Sequence, residues 1–117
     1  MLIGLDPRTT PELPYTLARM GHGDEIVIAD RNYPATWSAA GCLVTDVIQY
    51  PGHDATTVAD LITQLMPLDN FHTHSALRME IDNEPDALSD VHWAVWDLLT
   101  PRLPDGGVLV SLERQAF

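Results

Sequence analysis

Met20-Gly21-His22-Gly23-Asp24-Glu25-Ile26-Val27-Ile28-Ala29-Asp30 is the stretch on which the fold turns. Gly21 suits the left-handed position that ends a helix. A second glycine two residues on lets the backbone bend around His22. Ile26 to Ala29 is a continuous apolar run, the pattern of a strand covered on both faces. Asp30 then falls at the carboxyl end of that strand, where open α/β sheets place their ligands. A histidine and a carboxylate so placed can transfer protons.

The flanking segments extend the pattern. Upstream, Thr10, Pro11 and Glu12 suit the N-cap, first position and first turn of a helix. Its apolar face is Leu13, Leu17 and Met20, and it is expected to end at Gly21. Pro14 lies near the end of the first turn, where its missing N–H removes one bond at most. Downstream, residues 31–41 read as loop, and Val47 to Tyr50 as a strand closed by Pro51-Gly52. Asp54 or Thr56 can cap a helix carrying Val58, Leu61, Ile62 and Leu65, which stops before Pro67. Ser75 to Ile81 alternates as a strand. Asp86 or Ser89 opens a third helix with Val91, Val95, Leu98 and Leu99 as its stripe, ended by Thr100-Pro101. Asp105-Gly106-Gly107 is a turn, and Val108 to Leu112 a buried strand. Strands alternating with helices predict parallel βαβ units, hence an α/β fold with a mainly parallel sheet. The length of 117 residues fits one domain, 1–117.

Six basic against seventeen acidic residues give a net charge of −11, which argues against nucleic acid and anionic membrane surfaces as partners. Cys42 is alone, so an internal disulfide is excluded, in keeping with a reducing compartment. The start, Met1-Leu2-Ile3-Gly4-Leu5-Asp6-Pro7, lacks the apolar region of a signal peptide, and no apolar run approaches the length of a bilayer span. A cytoplasmic location is the expectation.

Met-Gly-His-Gly-Asp-Glu at 20–25, joined to Ala29-Asp30-Arg31-Asn32-Tyr33-Pro34-Ala35, resembles the RbsD/FucU family of sugar mutarotases, its fucose branch most closely. Thr10-Pro11-Glu12-Leu13, Val47-Ile48-Gln49-Tyr50-Pro51-Gly52, Leu65-Met66-Pro67-Leu68-Asp69 and Glu113-Arg114-Gln115-Ala116-Phe117 extend the likeness over nearly the whole chain. The resemblance implies a three-layer α/β/α fold. It implies His22 as the catalytic acid and base, with Asp30 and Arg114 as sugar-binding residues. It implies anomer exchange of L-fucose or a related free sugar without metal, nucleotide or other cofactor. It also implies a homo-oligomer, typically a decamer of two stacked pentamers, with sites near subunit contacts. Gln115 stands where relatives carry an aromatic. Relatives continue past the position of Phe117 with a segment carrying Tyr-Gly-Asn that contacts the sugar, so a C-terminally short domain is the expectation. D-ribose pyranase activity is the same-class alternative. A sugar-binding protein without turnover is the alternative of another class.

The same residues admit plainer roles. His22 can cap a helix end, Asp30 can form a turn, and Arg114 can be a solvated surface cation. His72-Thr73-His74 would put two imidazoles on one strand face, where they could hold a metal. No third ligand stands at a recognisable spacing, so metal is not expected. His53 and His92 read as surface positions. Trp93 and Trp96 share a side of the third helix. Trp37 falls in the loop after Asp30, and for all three tryptophans core or subunit-interface packing is the expectation.

Overall fold

The structure, a computed structural model, describes residues 2–117. Among the described residues four α-helices, a short 3₁₀ turn and two strands follow one another. They are α1 Glu12–Ala18, α2 Ala35–Ala39, α3 Ala55–Leu65, β1 Ala76–Met79, α4 Asp90–Leu99, a 3₁₀ turn Thr100–Arg102, and β2 Leu109–Leu112. β1 and β2 pair in parallel, Ala76 opposite Leu109 and Met79 opposite Leu112, with α4 in the crossover. The architecture is α/β, as the alternation predicts.

Local chemistry accounts for the helices. The Asp54 carboxylate accepts the Thr57 N–H at 2.8 Å and starts α3. Ser89 starts α4 through a capping box in which His92 stands at the third helical position. The Ser89 hydroxyl accepts the His92 N–H, and His92 Nδ1 accepts the Ser89 N–H, both at 3.2 Å. The core lies between α1 and α3. Leu13, Leu17, Leu61 and Ile62 are buried, with Ile26, Ile48 and Tyr50 packed against them. Burying Leu61 completely contributes on the order of 1.5–3 kcal/mol.

Several expectations are corrected. Ile26 to Ala29 and Val47 to Tyr50 carry no strand ladder; both run between turns without regular partners. Ile26 and Ile48 meet the core from one side, while Val27 and Ile28 are exposed, so the two-sided cover that a paired strand requires is missing. α1 starts from Pro11 without a side-chain cap, so Thr10 does not fill that role. α1 ends at Ala18 with Arg19 as its C-cap, and the left-handed conformation falls on Gly23, φ +84°, rather than on Gly21. Residues 31–41, expected as loop, contain α2, with Trp37 exposed upon it. β1 is shorter than expected at both ends, and β2 starts one residue late but ends at Leu112 as expected. Val91 lies outside the buried part of α4 and is exposed. His92 is half-buried rather than on the surface.

Arg78 is the buried charged residue of β1. Its Nη2 donates to the Pro85 carbonyl at 2.8 Å, and its Nη1 has no partner among the described residues.

Candidate functional site

The His22 turn is built by short-range hydrogen bonds. The Asp24 N–H closes a turn on the Gly21 carbonyl, and the Asp24 carboxylate accepts the Gly21 N–H at 2.8 Å. Gly23 occupies the third place of this turn, where a positive φ is needed and only glycine is at ease. His22 projects from the turn with its side chain 83% exposed. Its Nδ1 lies 3.3 Å from Asp69 Oδ2, and the same oxygen accepts the Gly23 N–H at 3.3 Å. These contacts, the Gly23 amide foremost, hold the Asp69 carboxyl below its usual range, so it is an anion at neutral pH. An anion there can only accept, which puts the proton of His22 on Nδ1 and leaves Nε2 with a lone pair directed away. The Phe71 ring stacks beside His22, with centroids 6.3 Å apart and planes at 17°.

His72 and His74 complete this end of the molecule. His72 Nε2 donates to the Gly23 carbonyl at 3.0 Å, His74 Nε2 meets Glu25 at 3.1 Å, and the two rings stack at 5.7 Å. Among the described residues no three of His, Cys, Asp or Glu stand so that they could hold a metal ion.

A second cluster forms where β1 and β2 end. A cleft of about 350 Å³ is lined by Tyr33, Pro34, Met79, Glu80, Asp82 and Arg114. Arg114 donates through Nη1 to Asp82 Oδ2 at 2.9 Å, with both side chains exposed. Asp30 stands just before Tyr33. Its Oδ1 accepts the N–H groups of Asn32 and Tyr33 at 2.8 and 3.0 Å, so the carboxylate shapes the loop that carries Tyr33 and Pro34 into the cleft.

The three expected site residues therefore do not meet in one enclosed pocket. The Asp30 loop and Arg114 share the cleft at the carboxyl end of the parallel strands. His22 lies with Asp69 and His72, before the amino end of β1. β1 alone spans on the order of 10 Å between them. Asp69 and Phe71 were not singled out for roles beside His22. Asp69 is close in sequence to His72 and His74, and no local spacing links it to His22, 47 residues away.

A parallel pair with polar residues beyond its carboxyl ends, and a carboxylate-held histidine on a glycine turn, define a small α/β protein of the ligand-handling kind. The chain belongs to the RbsD / FucU transport protein family, whose family model matches residues 4–117. It is similar to fucose mutarotase of Homo sapiens, 34% identical over 99% of this chain and 75% of that protein. It is also similar to fucose mutarotase of Bos taurus, 38% identical over 100% of this chain and 74% of that protein. Among solved structures it resembles protein Atu2016, described as a candidate sugar binding protein. The TM-score is 0.88 at 30% identity, over 100% of this chain and 78% of that one. No helix among the described residues is long and apolar enough to cross a membrane.

Proposed function

We propose that this protein is a monosaccharide mutarotase exchanging the anomers of L-fucose or a closely related free sugar. The observation that carries the proposal is the His22–Asp69 contact at the exposed glycine turn, taken with the fucose mutarotase relatives. Nε2 of His22 removes the proton of the anomeric hydroxyl as the C1–O5 bond breaks. The ring oxygen takes up the proton that His22 then carries, the open carbonyl form rotates about C1–C2, and reclosure on the other face reverses the transfers. Asp69 orients the imidazole and steadies its charge while it carries the proton. Arg114, with the Asp30 loop, holds the sugar hydroxyls. The chemistry needs neither metal nor cofactor.

Because His22 and Arg114 lie at opposite ends of β1, we place the working site between copies, the His22 end of one facing the cleft of another. A homo-oligomer, of the decameric kind in the family, in the cytoplasm, is part of the same proposal. It is supported by the exposure of Val27, Trp37, Leu43 and Trp93. The test is saturation-transfer NMR on L-fucose. Wild type is expected to exchange anomers faster than the uncatalysed rate and His22→Ala to match that rate. Equal exchange by the two proteins refutes His22 as catalyst. Sugar binding, which is in the description of Atu2016, would without turnover appear as saturable L-fucose binding with no exchange.

A further inference from the structure

We propose that His72 is a positioning residue for His22, acting through the peptide carbonyl of Gly23; this rests on His22 being the acid and base. Asp69, Phe71 and His72 grip Gly23 between them. Asp69 takes its N–H at 3.3 Å, and His72 Nε2–H donates to its carbonyl at 3.0 Å. Phe71 covers the remaining face, so closely that a Cβ on Gly23 would stand 2.9 Å from Phe71 Cδ1 and 3.2 Å from His72 Nε2.

His22 needs such a grip. It is flanked by two glycines and is largely exposed, so burial does not hold it. Its ring is held by one bond to Asp69 and by stacking on Phe71. Rotation of the Gly23 peptide would carry the turn, and with it the imidazole, away from a substrate on Nε2. A misplacement of about 1 Å can cost about a hundredfold in rate. A carbonyl only accepts, so His72 carries its proton on Nε2 in either charge state. The bond therefore survives protonation at Nδ1, and neither His74, stacked on the ring, nor Glu25 beyond it interrupts the contact. His72 thus holds the turn without itself exchanging protons with substrate.

The experiment compares His72→Ala and His72→Gln in the full chain. Glutamine places an amide donor about as far from the backbone as imidazole Nε2. His72→Ala is expected to lower kcat for L-fucose anomer exchange by about tenfold or more, with KM within about twofold. The factor is expected to be the same across pH, because no titrating group of the reaction is removed. His72→Gln is expected to restore most of the rate. NMR supplies an arm independent of turnover: the Gly23 and His22 amide resonances are expected to shift and broaden in His72→Ala and to recover in His72→Gln. An unchanged kcat, an effect confined to KM, or the loss of one limb of the pH profile would overturn the positioning role. If wild type shows no exchange at all, the mutarotase proposal fails. The amide resonances then decide the clamp alone, and an unmoved Gly23 overturns it.

Discussion

At Gly23 one residue decides whether the turn can exist. A side chain there meets both a positive φ and the Phe71 ring. Gly21 differs: its φ is not positive, and the nearest atom to an added Cβ is Asp24 Oδ2 at 3.9 Å. Gly23→Ala is expected to destabilise by about 1–3 kcal/mol and Gly21→Ala by well under half of that, read as thermal melting midpoints. Equal shifts would mean that the turn is not held as described. Asp69→Asn is expected to leave the melt nearly unchanged and to slow anomer exchange about a hundredfold, because the amide can satisfy the Gly23 N–H yet cannot steady a charged imidazole. Undiminished exchange would remove Asp69 from the mechanism. The sequence showed that both glycines free the backbone around His22 but put the left-handed position at Gly21 instead of Gly23. Helix-stop statistics favour Gly21, whereas the turn after the helix and the crowding by Phe71 need Gly23. Asp69 was illegible as a partner because its tie to His22 depends on how the chain returns after α3.

In α4 the capping box doubles as a titrating contact. His92 Nδ1 accepts the Ser89 N–H, which requires that nitrogen to be unprotonated. Burial first, and the nearby Arg78 guanidinium second, hold His92 below its ordinary 6.5. The unfolded chain therefore binds this proton more readily than the folded one, so stability rises with pH. The contribution is complete above about pH 6.5 and is lost as pH falls through the lower folded value. Melting in steps from pH 7.5 to 5 is expected to show this decline, and His92→Gln, which keeps an acceptor at the same place in the box, to flatten it. Arg78→Met is expected to move the His92 titration part of the way up, with burial still opposing the charge. A pH profile identical in wild type and His92→Gln would assign the decline to other groups. The caps Asp54 and Ser89 were legible, each as one of two nearby candidates, because a cap is local. The strands were less so. Ile26 to Ala29 has the composition of a covered strand, but composition states the need for cover and not its source. Within one chain the need is met only at Ile26.

Across the whole molecule the surface is large for the mass. The accessible area is 8463 Å². That is about a third more than the roughly 6,300 Å² typical of a monomer of this size. The exposed apolar residues Val27, Trp37, Leu43 and Trp93 are spread over that surface. Together with the separation of His22 from Arg114, this favours an assembly in which neighbouring copies supply the two halves of each site. Complementation between two inactive variants is then expected, which no single-chain site can give. His22→Ala lacks the acid and base but keeps the cleft; Arg114→Ala lacks the sugar-holding cation but keeps the His22 turn. Each alone is expected to be inactive. When the two are unfolded together in equal amounts and refolded, each composite site draws its His22 half and its Arg114 half independently. Chance then gives an intact pair in about a quarter of sites in a closed symmetric oligomer. Anomer exchange is therefore expected to return to about a quarter of the wild-type rate. The separately refolded variants, mixed afterwards without subunit exchange, are expected to stay inactive. A site contained in one chain would never be intact in either preparation. Co-refolded material that forms mixed oligomers, by light scattering and mass spectrometry, yet shows no exchange would place His22 and Arg114 in the same copy's site, and β1 would then have to be bridged by a movement of the Gly21–Asp24 turn.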